Sequence, residues 1–275
     1  MRYKYLFMDL DETSIINHHL SKENREAIEK AQEKGVKFIP CTGRDLSMIQ
    51  EILEEMHVKN LSNQYSVCCN GAVVKENNGN VIYFEGIDAQ DFKIFIEYAK
   101  KVTGVIILFA QEGIYIMRPN TFEVQRKIDQ KANPVVYEEV SYDLVKELHI
   151  IKMMISEANE EKRNHILEHM PEELAAHCEI TTSSGRYIEW NAKGVTKGNG
   201  MKALMEYLND SLEHCIAIGD HNNDYTMIEL AGLGCAVENA VQRDKDIANY
   251  VCENDYEHFA LKEVIDKFIL KKEGN

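Results

Sequence analysis

The sequence predicts an α/β fold: a doubly wound, mostly parallel, Rossmann-like sheet with a second, α+β module inserted into it. Three observations carry this. Short apolar runs alternate with amphipathic, helix-periodic segments at both ends of the chain. The middle instead shows hairpin-like pairs of apolar runs. The chemically distinctive residues fall where the outer apolar runs end, the place where open parallel sheets bind ligands. The expected core is residues 1–84 and 187–275, and the expected insertion is 85–186.

The elements follow in order. Tyr3–Asp9 reads as a buried strand. Ser21 is placed to cap a helix over Lys22–Lys34, with Ala27, Ile28 and Ala31 on one face and Gly35 as its stop. Val36–Cys41 is a second strand. A helix with Met48, Ile49, Ile52, Leu53 and Met56 as its apolar face follows, and Ser66–Cys69 is a third strand. In the insertion, Val105–Phe109 and Ile114–Met117 pair around Glu112-Gly113. Helices are expected over Ala89–Lys101, Asp143–Leu148 and Asn159–His169. A strand is expected at Tyr187–Trp190, at the return to the core. The fully apolar Cys215–Ile218 then reads as a central parallel strand, followed by a helix over Asn223–Ala231 and a strand at Leu233–Val237. A further helix and strand and an amphipathic helix near His258–Leu270 complete the pattern.

The 275 residues suffice for two modules of moderate size. With 31 Lys+Arg against 46 Asp+Glu, the net charge is −15, and no basic cluster stands out. Nucleic acid and anionic membranes are therefore not expected as partners. Val105–Ala110, the longest strongly apolar stretch, is far too short to span a bilayer. The first residues lack the long apolar core of a signal peptide, so a cytoplasmic location is expected. None of the seven cysteines forms a C-x-x-C pair, and most sit in apolar runs, as reduced core thiols do. Oligomeric state is left open.

Asp9-Leu10-Asp11 follows the first strand. Side chains alternate along a strand, so an extended continuation sends both carboxylates to one side. Thr42-Gly43-Arg44 ends the second strand, Asn70-Gly71 the third, and Gly219-Asp220-His221-Asn222-Asn223-Asp224 the Cys215–Ile218 run. Lys197 lies just before a helix. Four carboxylates converging on one point repel unless cations offset them. Lys197 and a hard divalent ion such as Mg²⁺ would do so, and the set suits a substrate bearing a phosphate.

These motifs together resemble those of the haloacid dehalogenase-like phosphohydrolases, in the Cof-type branch with a large α/β (type IIB) cap. The matching residues are Asp9-Leu10-Asp11-x-Thr13, Thr42-Gly43-Arg44, Asn70-Gly71, Lys197-Gly198 and Gly219-Asp220-x-x-Asn223-Asp224-x-x-Met227. The run Ala231 to Ala240 also resembles the family's ending. The likeness covers both core segments; in the insertion only position and length support it.

The resemblance implies a Mg²⁺-dependent phosphatase of small phosphorylated metabolites, working through an aspartyl-phosphate. Asp9 is then the nucleophile and Asp11 the proton donor and acceptor. Thr42, Gly43, Lys197 and Asn223 hold phosphate. Asp9, the Asp11 backbone carbonyl and Asp220 hold the metal, with Asp224 orienting Lys197 or a metal water. Arg44 and Asn70 are candidates for substrate contact, and the inserted module, as a cap, sets specificity. One departure is Glu12, where the family usually has Gly; Ser14 replaces a common Leu.

Alternatives are a weakly active phosphometabolite-binding regulator and a phosphomutase on the same fold. Gly198-Asn199-Gly200-Met201-Lys202-Ala203 also fits a dinucleotide fingerprint, with Asp220 about twenty residues on. It does not directly follow a strand, and a dehydrogenase leaves Asp9, Asp11 and Thr42 without a task.

Overall fold

The computed structural model describes residues 2–130 and 132–271. It divides into two compact units, one running to Phe84 and resuming at Thr196, the other spanning Glu85–Val195.

The first unit is built on a five-stranded parallel sheet. Its order is Tyr250–Val251, Leu233–Ala236, Cys215–Gly219, Tyr5–Met8, Lys37–Pro40. The chain order reverses on either side of Tyr5–Met8, so the sheet has a topological switch point there. Every residue of Tyr5–Met8 and of Cys215–Gly219 is buried, as a strand covered on both faces requires. Tyr5, Phe7 and Ala217 pack with Met201, Leu204 and Met205 of the helix Lys197–Tyr207. Leu6 and Met8, one pleat away, are fully buried on the opposite face. The helix Lys22–Gln32 carries Ser21 as its cap, the hydroxyl accepting from the Asn24 amide.

The third expected strand takes a different course. Tyr65–Cys68 meets the parallel sheet through one bridge, Cys41 to Val67, and then pairs antiparallel with Val73–Glu76. Val81–Phe84 completes this three-stranded sheet.

The second unit holds a six-stranded sheet in the order Val135–Tyr137, Gly113–Met117, Val105–Ala110, Ile150–Ser156, Tyr187–Ala192, Cys178–Ser183. All its neighbours are antiparallel except Val135–Tyr137 with Gly113–Met117. One apolar cluster joins Phe92, Phe95 and Ile96 of the helix Ala89–Ala99 to Ile166, Leu174 and the sheet residue Trp190. The Phe95 and Trp190 rings meet edge to face at 5.1 Å. A second cluster joins Ile107, Ile116, Met154 and Tyr187 to Val124 of the helix Thr121–Asp129.

Two expectations shift. Tyr187–Ala192 pairs on both sides within the second unit's sheet, so the chain returns to the first unit at Thr196, not at residue 187. Asp143–Leu148 forms turns instead of a helix; a single buried apolar residue, Val145, anchors it, too little for an amphipathic face. Cys41, Cys68, Cys178, Cys215, Cys235 and Cys252 are all buried in apolar packing. Among the described residues no helix is long and apolar enough to cross a membrane.

Candidate active site

The site forms where the two central strands end. Asp9 directly follows Tyr5–Met8, and its amide donates to the Ile218 carbonyl of the neighbouring strand at 3.0 Å. Asp220 directly follows that neighbour, Cys215–Gly219. Asp224 lies a turn further on, its amide bonded to the His221 carbonyl at 2.7 Å. One carboxylate oxygen from each of Asp9, Asp220 and Asp224 lies within 4.8 Å of the others, and all three residues are buried.

Lys197 enters at the start of the second core segment, ahead of Asp220 and Asp224. Thr196 caps its helix, accepting from the Asn199 amide. The ammonium donates to Asp9 Oδ1 and to Asp224 Oδ1, each at 2.5 Å, and the lysine has no solvent exposure. The other Asp224 oxygen accepts from the Asp220 and His221 amides, each at 3.0 Å. Asp224 is thus fully occupied in holding Lys197 and the turn. Asp220 Oδ1 accepts from the Thr13 hydroxyl at 2.5 Å.

Charge at this point is crowded. Burial pushes Asp9 up to about 7; Lys197 opposes this, while Asp224 and Asp220 add to it. Burial and the charge of Asp224 also raise Asp220, against the Thr13 bond. Burial alone would lower Lys197, but Asp9 and Asp224 outweigh it and hold the ammonium above its ordinary value. Three carboxylates against one ammonium leave an excess of negative charge. The donor set is all oxygen apart from that lysine, so the residues fit a hard divalent cation.

Two glycines make the convergence sterically possible. A Cβ on Gly71, which has φ +98°, would lie 1.9 Å from the Thr196 carbonyl oxygen. A Cβ on Gly219 would lie 2.4 Å from the Asp224 side chain. The Asn70-Gly71 turn therefore abuts the start of the lysine helix, and the Gly219 backbone leaves room for Asp224. The fingerprint-like glycines of 198–203 lie inside the helix Lys197–Tyr207, not in a loop after a strand. A Cβ on Gly200 would meet Gly71 Cα at 2.8 Å, so that glycine serves close packing.

The remaining predicted residues surround this centre. Thr42 is buried; its amide donates to Val67 and its hydroxyl accepts from the Arg44 amide at 3.1 Å. Asn223 Nδ2 donates to Asn70 Oδ1 at 3.1 Å, and Gly43 lies beside the Asn70 side chain. The turn after Asp9 departs from the expected geometry. The strand stops at Met8, and the Thr13, Ser14 and Ile15 amides all turn back to the Leu10 carbonyl. Strand alternation therefore does not aim Asp11. Its carboxylate is half exposed, outside the buried acidic cluster, and is gripped by Arg44 through Nη2 and, at 2.9 Å, through Nε. His18 meets Arg44 Nη2 at 2.8 Å through Nδ1. Glu12 has φ +59°, which accounts for the glycine usual at this position in the family that the motifs resemble. Its carbonyl accepts from Asn239 Nδ2 at 2.9 Å.

Asp244 was missed by sequence reasoning. It is fully buried, and among the described residues neither of its carboxylate oxygens has a hydrogen-bond partner. Burial, and next the charge of Asp224, push it up to about 6. Nothing in Val241-Gln242-Arg243-Asp244 distinguishes it from a solvated acid on a helix.

Comparison with known proteins places the chain in a family. Phosphatase YwpJ of Bacillus subtilis is 28% identical over 93% of this chain and 96% of its own length. The 5-amino-6-(5-phospho-D-ribitylamino)uracil phosphatase YcsE of the same organism is 26% identical, covering 95% of this chain and 94% of its own. Among solved structures, a Thermotoga maritima protein superposes with a TM-score of 0.86 at 23% identity, over 97% of both chains. A sugar phosphatase of haloacid dehalogenase (HAD) subclass IIB gives 0.75 at 26% identity, over 96% of this chain and 98% of its own. The family model of haloacid dehalogenase-like hydrolases matches residues 6–265, and the chain belongs to that family.

Proposed function

We propose that this protein is a Mg²⁺-dependent phosphatase of small phosphorylated metabolites, sugar phosphates or similar esters, acting through an aspartyl-phosphate on Asp9. The observation that carries the reading is the double hold of Lys197 on Asp9 and Asp224 inside a buried three-carboxylate cluster. A structural ion pair needs one acid, not three. The relatives, phosphatases that align over nearly their whole length, support the reaction class.

In this reading Asp9 attacks phosphorus, and the P–O bond to the leaving alcohol breaks. Asp11 gives its proton to that alcohol. It then takes a proton from the water that attacks the aspartyl-phosphate, releasing phosphate and restoring Asp9. Lys197, dry and fixed by two carboxylates, offsets charge on the phosphoryl oxygens. Thr42, Gly43 and Asn223 supply further hydroxyl, amide and amide-group contacts to phosphate, and Arg44 and Asn70 contact the substrate. Asp9, Asp220 and the Asp11 carbonyl would hold Mg²⁺, which supplies charge that keeps the carboxylates ionised and draws density from the phosphoryl group. Asp224 acts through Lys197. The inserted unit is the proposed source of selectivity.

One observation favours a second reading, a phosphometabolite-binding regulator with little turnover: Asp11 is engaged by Arg44. A panel of sugar phosphates, nucleotides, flavin mononucleotide and pyridoxal phosphate separates the two. Mg²⁺-dependent release of phosphate that disappears in Asp9→Asn is the expected result. Full activity in that variant overturns the nucleophile assignment. Tight binding without turnover of any member favours the regulator, and an isomer formed with an activating bisphosphate marks a phosphomutase.

A further inference from the structure

The second unit contains a cationic centre that the hydrolase reading does not use. Lys127 lies on the helix Thr121–Asp129 and is 6% exposed. Lys152 lies on the strand Ile150–Ser156. Both ammonium groups sit against one aromatic ring, that of Phe109, at 4.9 and 4.8 Å from its centroid. Lys152 is paired, at 2.9 Å, with Glu189, which also accepts from the Ser183 hydroxyl at 2.5 Å. The Lys127 ammonium donates to the Gln130 amide oxygen, at 3.2 Å.

The nearby carboxylates are already committed. Glu123, without solvent exposure, accepts from Ser156 at 2.5 Å and from Tyr187 at 3.1 and 3.0 Å. Arg186 lies 3.6 Å from it. Among the described residues no carboxylate forms an ion pair with Lys127. Arg126 stacks on Tyr187 and Arg186 on Phe122 in the same region. Lys127, Lys152, Arg126 and Arg186 thus outnumber Glu123 and Glu189 here, in a chain whose net charge is −15. A buried ammonium beside a second one is costly unless an anion joins them. Burial, with Lys152 next, pushes Lys127 down to about 8, against the charges of Glu123 and Glu189.

We propose that Lys127 and Lys152, over Phe109, form a binding site for a small oxyanion, a carboxylate or phosphate group of a metabolite. Two ammonium donors recognise such a group as point charges, and the ring supplies an apolar floor. The site lies wholly within the second unit and stands or falls independently of the chemistry at Asp9.

The test is isothermal titration calorimetry of the whole protein with malonate and, separately, inorganic phosphate, in chelator so that no divalent ion is present at the acidic cluster. Wild type is expected to bind at least one of them. Lys127→Met is expected to weaken that binding about tenfold or more, the loss of one charge-assisted hydrogen bond. Lys152→Met, at a more exposed position, is expected to do the same and keeps the test open should Lys127→Met not fold. Lys127→Arg is expected to retain binding. Preference for malonate identifies a carboxylate ligand, and preference for phosphate a phosphate group. Absence of binding to wild type, or unchanged affinity in Lys152→Met and Lys127→Met, overturns the proposal.

Discussion

Arg44 grips the Asp11 carboxylate through two guanidinium nitrogens, while Asp9, two residues earlier, is buried against Lys197. The two acids of one short motif thus live in opposite environments. Asp9 is dry and pinned, and Asp11 is half exposed and held by Arg44. A nucleophile needs fixed aim, whereas a group that gives and then takes a proton needs access to both alcohol and water.

Removing Asp11 therefore separates chemistry from folding. Asp11→Asn is expected to lower kcat by about 10²–10⁴. The partly exposed ion pair with Arg44 is worth no more than about 1 kcal/mol, so Tm should barely move in either Asp11→Asn or Arg44→Ala. Steady-state kinetics beside thermal melts check this; a large drop in Tm with retained kcat would make Asp11 a structural residue.

Lys197 and Asp9 are expected to behave oppositely in stability. Lys197→Met leaves buried acids without their cation and should cost about 3–5 kcal/mol as well as activity. Asp9→Asn removes one member of a crowded acidic set, leaving Lys197 paired with Asp224. It should abolish turnover while holding or raising stability in chelator. Urea unfolding of both variants tests the contrast, which fails if Asp9→Asn is the more destabilised.

Asp244 gives a pH signature. Its folded value, about 6, lies above the ordinary 3.8, so between these the folded chain binds more protons than the unfolded one. Its contribution to stability is full below about 3.8 and is lost as pH rises through about 6. Asp244→Val removes an unpartnered buried carboxylate and should stabilise the protein by about 1–3 kcal/mol. That gain should be larger at neutral pH than under mildly acid conditions. Denaturant melts at both pH values decide it; an equal or reversed gain contradicts the assignment.

Glu12 occupies a left-handed backbone position with φ +59°. Glu12→Gly relieves about 1 kcal/mol of local strain, offset in part by the freer unfolded chain. A small rise in Tm with turnover at least equal to wild type is the expected outcome. Loss of activity in that variant would give the Glu12 side chain a part in the reaction.

Gly71 has the opposite sensitivity. Any Cβ there collides with the Thr196 carbonyl beside Lys197, so Gly71→Ala should destabilise the protein by more than Glu12→Gly stabilises it and should impair turnover. Calorimetry and the phosphatase assay on one preparation measure both effects.

Local signals in the chain were enough for the alternation of strands and helices, the parallel core and the inserted α+β module. Each rests on hydrophobic period and on caps such as Ser21, which are properties of neighbouring residues. The strand-end positions of Asp9, Thr42 and Asp220 were legible for the same reason. What only tertiary structure decided depends on contacts between distant segments. Tyr187–Ala192 belongs to the second unit because of its ladder partners, not its own composition. Asp11 turns to Arg44 because three amides fold back on the Leu10 carbonyl, which strand periodicity cannot express. Asp224, expected as a helper, joins the acidic cluster, and Asp244 loses its solvent, because packing sets burial and burial sets the energy of a charge.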